Sequence, residues 1–423
     1  MHDPSVTAAA RLARQGSAAD LADALQQSRQ DTLSTFAAFE RALPDLRVPQ
    51  RPELNPPLWE LGHIGWFQDW WLQRFAARSQ GWRADPELPR GPALQGDADS
   101  LYNSSEVPHG RRWRLCLPDA TQTRAQLAQQ LRATLALLSE SRGATAGGDD
   151  AALYFFRLVL LHEDMHHEAS LYTAQSLDVP IDPARWQPPN LPEPPSPLHF
   201  GAAPWRLGSE ADAGFAFDNE LGAHTVELEA VQIDTQVLRW ADYLPFVEAG
   251  GYRQHRQASA GPTPPPLRWW TEAGHQWRLA QQLQAPRYLR ADAAGWLQWR
   301  HGKWQRLDLS QPACHLSQHE ALAWCAWAGR RLPTEAEWER AALSQPDAFR
   351  WGDVWEWTAS AFSPYPGFVP HPYRDYSAPW FDGRPVLRGG SFMTQPRIKH
   401  PRYRNFFAAQ RNDIAAGFRS CAL

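Results

Sequence analysis

His162 and His166 stand four residues apart in the run Leu161-His162-Glu163-Asp164-Met165-His166-His167-Glu168. On a helix that spacing puts both imidazoles on one face, where they can point at a single ion. Glu163 follows the first histidine, but the rest of a zinc-protease context is missing. Glu168, two residues past His166, is turned off the ligand face and reads as a residue that supports a ligand or pairs helices. His167 points elsewhere, as a surface or packing histidine. A third ligand must come from another helix, and Trp59-Glu60-Leu61-Gly62-His63-Ile64-Gly65-Trp66 supplies His63. Each of the two glycines flanking it costs a helix up to about 1 kcal/mol relative to alanine, which marks a close approach of helices there. Three neutral imidazoles leave coordination positions open, as catalysis by zinc or ferrous iron requires and a closed structural site does not. Spacing alone does not choose between the two metals.

The elements that must carry these residues are helical. Apolar periodicity predicts helices over Asp20 to Arg41, Pro57 to Ala77, Thr123 to Ser141 and Asp150 to Leu177, a four-helix bundle. The segment Pro180 to Leu198 is too rich in proline to continue a helix or fill a ladder, and reads as a linker. Beyond it the texture changes to short alternating runs such as Thr225-Val226-Glu227-Leu228-Glu229, broken by clusters such as Gly261-Pro262-Thr263-Pro264-Pro265-Pro266. Helices are expected near Ser317 to Ala328 and Thr334 to Ala342, giving an α+β second domain. The organisation read from the chain is therefore residues 1–179 as bundle, 180–198 as linker and 199–423 as second domain, with only the first fifteen or so residues read as disordered.

At 423 residues with 43% hydrophobic side chains the chain can fill two cores. Its 42 basic and 46 acidic residues are spread without long runs, which excludes a nucleic-acid footprint and a polybasic membrane patch. A small molecule is the expected partner. The 22 tryptophans read as core and interface material, with a minority lining a pocket. Cys116, Cys314, Cys325 and Cys421 are far apart and form no CxxC pair, arguing against a disulfide framework or a thiolate zinc site and for a reducing cytoplasm. No stretch reads as an export signal or as a membrane span.

Four motifs of the second half occur in a telling order: Phe217-Asp218-Asn219-Glu220, Arg331-Leu332-Pro333-Thr334-Glu335-Ala336-Glu337-Trp338-Glu339, Val354-Trp355-Glu356-Trp357-Thr358 and Arg388-Gly389-Gly390-Ser391-Phe392. They resemble the formylglycine-generating-enzyme fold, a C-type-lectin-like α+β domain. The cysteines that such enzymes use after Arg-Gly-Gly-Ser are missing from Phe392 to Arg404. Together with Leu61-Gly62-His63 and His162-xxx-His166-x-Glu168, which look like iron ligands on a DinB-like bundle, nearly the whole chain resembles the ergothioneine-biosynthetic sulfoxide synthases. Tyr102-Asn103-Ser104-Ser105-Glu106-Val107-Pro108-His109 and the terminal Gly417-Phe418-Arg419-Ser420-Cys421-Ala422 look closer to that family's selenoneine synthase branch.

The resemblance implies an Fe(II)- and dioxygen-dependent enzyme that couples a chalcogen donor to the imidazole C2 of hercynine. The donor it implies is a selenosugar, with the alternative of a thiol such as cysteine or gamma-glutamylcysteine. It implies that Tyr373 or its neighbour Tyr376 serves the oxygen-activation step, and that Asn405 helps hold hercynine. Phe406, Phe407 or a nearby tryptophan would offer an aromatic face to a quaternary ammonium, and Arg411 falls where the family places an arginine. Phe407 also occupies the position where thiol-dipeptide enzymes carry an aspartate, and Met165 one where some sulfoxide synthases carry glutamine. Arg112 and Arg114 are candidates for the donor's polar arm.

Overall fold

The computed structural model describes residues 4–141, 150–182, 184–253 and 269–423. The Gly-Pro cluster at 261–266 lies outside the described residues. Helices α1 (Pro4–Gln15), α2 (Ala18–Ala42), α3 (Pro57–Gln68), the one-turn α4 (Ala98–Tyr102), α5 (Ala120–Glu140) and α6 (Tyr154–Ser176) make up the first half. Local sequence sets their starts. Ser17 with Asp20, and Asp119 with Gln122, form reciprocal capping boxes at α2 and α5. Pro57 opens α3 without a side-chain cap. The helix expected to run to Ala77 instead ends its α-helical geometry at Gln68 and continues as a π-helical turn over Asp69–Gln73, closed by Arg74 N–H donating to Asp69 O at 3.1 Å.

The N-terminal residues read as disordered hold α1, because Arg14 is buried and forks onto Glu220 of the second half at 2.7 and 3.0 Å. Buried Ala10 and Ala13, and Arg157 donating to the Ala13 carbonyl at 3.1 Å, tie the helix to the rest of the fold as well.

The second half contains β1 (Leu198–Phe200), β2 (Ala203–Leu207), β3 (His224–Leu228), β4 (Val231–Ile233), α7 (Trp240–Glu248), α8 (Glu272–Ala280), β5 (Leu289–Asp292), β6 (Gly295–Arg300) and β7 (Lys303–Arg306). After these come α9 (Gln318–Ala328), β8 (Arg330–Arg331), α10 (Glu335–Ser344), β9 (Trp355–Ala361), β10 (Pro385–Arg388), β11 (Asn405–Phe406), β12 (Ala416–Gly417) and β13 (Cys421–Ala422). The strands form two four-stranded sheets, β1-β4-β13-β8 and β11-β10-β9-β12, a β2-β3 pair and a β5-β6-β7 meander. The architecture is α+β, with a helical bundle followed by a small-sheet domain.

The proline-rich segment is packed chain: Trp186 and Leu191 are buried, and Leu191 N–H donates to Ser310 O at 2.9 Å. One buried apolar cluster runs from Leu21 and Trp59 in the bundle through Phe155 and Phe217 to Trp355 and Phe418. The two halves thus share a continuous core where composition suggested two. The loop from β10 to β11 clamps onto α6: Arg397 pairs with Asp164 at 2.8 Å, and Ser391 and Thr394 reach Glu168.

Candidate metal centre

Helices α3 and α6 bring His63, His162 and His166 together, with one ligand-capable atom of each lying within 4.8 Å of the others. Nitrogens sharing an ion at about 2.1 Å each would lie roughly 3 to 3.5 Å apart, so small side-chain rotations close the set. The ring orientations are fixed from outside. Nδ1 of His63 is 2.8 Å from the carbonyl of Tyr102, and Nδ1 of His166 is 2.5 Å from Glu60. If each Nδ1 carries the donated proton, each Nε2 is left for a metal. Nε2 of His162 is buried without a hydrogen-bond partner, an unmet polar atom that a metal bond would satisfy. The donor set fits a divalent ion.

Electrostatics favour the same chemistry. Burial, reinforced by the neighbouring His166, drives His63 down to about 3, and burial drives His162 well below the usual histidine value. Both rings therefore stay neutral and able to coordinate. Glu60 is held at about 2: burial works to raise it, but His166 and His63 outweigh burial. Asn55 donates to Glu60 and accepts from Arg112, whose guanidinium lies 3.9 Å over the Trp59 ring. Trp59 in turn stacks on His63, and Phe67 stacks on His162 with centroids 3.5 Å apart.

The glycine cost in α3 has a visible cause. A Cβ on Gly62 would come within 2.3 Å of the Tyr102 ring, and one on Gly65 would meet Leu127 and Gln130 of α5. Glu163 is engaged with Arg29 at 2.8 Å and takes no place in the cluster. His167 is a packing residue, buried between Thr35 and Gln395.

A sulfatase-modifying factor enzyme 1-like domain matches residues 201–353 and 350–422, and the DinB superfamily matches 24–170. Hercynine oxygenase of Mycolicibacterium thermoresistibile is 31% identical over 95% of this chain and 94% of its own. That of Mycobacterium tuberculosis is 31% identical over 87% and 91%. The chain belongs to the hercynine oxygenase family. As a member it is an oxidoreductase. Formylglycine-generating enzyme of Streptomyces coelicolor is 26% identical over 44% of this chain and 75% of its own.

In this family member a cavity of about 290 Å³ lies beside the cluster, between α6 and the second half. Its lining includes Met165 and Asn55, which bring its wall up to His166 and Glu60, together with Tyr403, Asn405, Phe407 and Arg411. None of the three histidines is among its lining residues, and His166 is the partly exposed member of the three. A larger cleft of about 790 Å³, lined by Tyr154, Asp218 and His371 among others, contains none of the three.

Tyr403, Asn405 and Phe407 share the cavity lining because extended chain alternates its faces. Between them, Arg404 pairs with Glu335 at 2.9 Å and Phe406 stacks on Phe362 at 4.1 Å, so Phe406 stands outside the lining. Arg411 is held by Asp413 at 2.6 Å, with its guanidinium 4.9 Å from the Phe407 ring. Arg112 is committed to Asn55 and Trp59, and Arg114 is exposed; neither lines the cavity.

Of the two tyrosines, Tyr373 is the one against the cluster, with its ring 4.9 Å from Phe67 and 6.1 Å from His162. Burial raises its phenol and keeps it protonated. Tyr376 is turned to Tyr403, hydroxyl to hydroxyl at 2.9 Å. Glu60 and Tyr403 were missed by sequence reasoning. The signal for Tyr403 was its place two residues before Asn405, just ahead of β11.

Proposed function

We propose that this enzyme uses ferrous iron on His63, His162 and His166 to couple a chalcogen donor, a selenosugar, to the imidazole C2 of hercynine. The observation that carries the reading is the three-histidine cluster with its unpartnered Nε2, next to a cavity at the junction of the two halves. Relatives named hercynine oxygenase support hercynine as the substrate. The bound ion would supply the redox chemistry that dioxygen, inert toward closed-shell partners, needs. The electron count closes simply. One C–H and one Se–H bond give way to a C–Se bond, a two-electron oxidation, while dioxygen accepts four electrons. The selenium therefore also takes one oxygen atom, and the other leaves as water with the two hydrogens.

The protein's own share is placement and proton supply. Holding both reactants against one centre replaces an encounter with an intramolecular step, a gain of about 7 to 11 kcal/mol in ideal cases. Tyr373, protonated and beside His162, is the proton or hydrogen donor. Asn405 and the Phe407 face are the contacts for hercynine.

Charge favours a selenosugar over gamma-glutamylcysteine. A dipeptide with two carboxylates and an ammonium needs counter-charges, whereas Arg411 in the lining is already neutralised by Asp413 and Phe407 is apolar. The test is anaerobic loading with ferrous iron, then dioxygen with hercynine and either selenosugar or gamma-glutamylcysteine, read by mass spectrometry. A selenium adduct that is lost in His162→Ala supports the reading. A sulfoxide formed only from the thiol moves the enzyme to the thiol branch, and no product from either donor overturns both.

A further inference from the structure

Most polar side chains around the 290 Å³ cavity are already committed. Glu168 accepts from Tyr172, Trp355, Ser391 and Thr394. Arg411 is forked onto Asp413, and Asn55 is bonded to both Glu60 and Arg112. His109 is bonded through Nε2 to the carbonyl of Leu54. Tyr403 differs. Its ring is fixed, 3% exposed, with Trp355 and Phe217 each 5.7 Å away. Its hydroxyl donates at 3.3 Å to the thioether of Met165, the residue next to His166. A thioether is a weak acceptor, so this donor gives up little by turning to a better one.

The Tyr376 hydroxyl lies 2.9 Å behind it, and when it donates to Tyr403 it strengthens Tyr403 as a donor in turn. Burial, the larger influence, holds the Tyr403 phenol in its protonated form.

We infer that Tyr403 is a substrate-binding residue: its hydroxyl leaves Met165 and donates to an acceptor atom of hercynine, with Tyr376 as a positioning residue acting through it. This rests on hercynine being the substrate. Asn405, two residues on at the start of β11 and lining the same cavity, forms the other half of the polar contact. An imidazole nitrogen or a carboxylate satisfies the phenol far better than sulfur does. A ligand offering only apolar surface would leave it on Met165.

The experiment is calorimetric titration of the full-length, metal-loaded protein with hercynine in the absence of dioxygen, so that binding is read without turnover. Tyr403→Phe is expected to weaken binding about tenfold while metal content stays unchanged. Tyr376→Phe is expected to weaken it less, and the double variant no further than Tyr403→Phe alone. In the wild-type protein, hercynine is expected to produce a tyrosine ultraviolet difference band that is missing from Tyr403→Phe; this spectral change does not depend on comparing variant stabilities. Wild-type affinity in Tyr403→Phe, additive losses in the double variant, or an undiminished difference band in Tyr403→Phe would each overturn the inference while leaving hercynine as substrate. A wild-type protein that does not bind hercynine overturns both.

Discussion

Nδ1 of His166 and the carboxylate of Glu60 are 2.5 Å apart, joining a residue of α6 to one of α3 across 106 positions of the chain. The carboxylate fixes the ring's orientation, as acidic partners of metal-bound histidines do. Glu60→Gln is expected to lower metal affinity about 10- to 100-fold with the fold retained, measured by competition with a chromophoric chelator. His166→Ala should abolish stable loading. Equal affinity in Glu60→Gln and the wild type would show that the pair does not tune the site.

Glu168 takes all four of its hydrogen bonds on one oxygen, Oε1. Glu168→Ala removes the acceptor of four donors where α6 meets the second half, and is expected to cost more than about 3 kcal/mol in urea unfolding. Glu168→Gln keeps an oxygen at that point and is expected to cost clearly less. If the two variants were equally unstable, the carboxylate's charge and not its acceptor geometry would be holding the junction.

The histidine pair of α6 was legible because helical spacing is a local property, and His63 because two glycines in a helix needed a reason. Helix starts were legible at the capping boxes of Ser317 and Thr334, whereas α2 starts at Ala18, capped by Ser17, ahead of the expected Asp20. What escaped was long-range. Helix α1 is tied down by partners about two hundred residues away, Glu220 among them, and the role of Glu60 rests on a histidine more than a hundred residues away. Phe406 was grouped with Phe407 by adjacency, although neighbours on an extended segment face opposite ways.

Tyr373 touches the aromatic wall of the cluster, whereas the hydroxyl of Tyr376 is engaged with Tyr403. Tyr373→Phe is therefore expected to lower turnover at least about 100-fold with little change in hercynine affinity. Tyr376→Phe should act mainly on affinity. Stopped-flow turnover beside calorimetric binding separates the two, and a reversed pattern would exchange the roles.

His315 and His371 are buried away from the metal ligands and are held neutral. Burial, aided by Arg300 and Arg287, lowers His315 to about 3, and burial lowers His371 to about 4. The unfolded chain takes up these protons near pH 6.5, while the folded chain resists until about pH 3 and 4. Stability is therefore expected to fall as pH drops below about 6.5, by about 1.4 kcal/mol per pH unit for each histidine, and to flatten below those folded values. Urea midpoints between pH 7 and 4.5 give the slope, and His315→Gln should reduce it by one proton's worth. An unchanged slope in that variant would show that His315 does not titrate on unfolding.

The segment from Tyr403 to Phe407 is written in two alternating registers. Arg404 and Phe406 are tied to Glu335 and Phe362 and belong to the scaffold, while Tyr403, Asn405 and Phe407 face the cavity. Selection for a new ligand can therefore edit the odd-numbered positions one at a time without disturbing the even-numbered ones. A single-residue insertion or deletion here would exchange the two sets, turning a cation and a phenyl ring into the cavity and polar groups into the core. Diversification along this segment is thus expected to proceed by substitution and not by change of length.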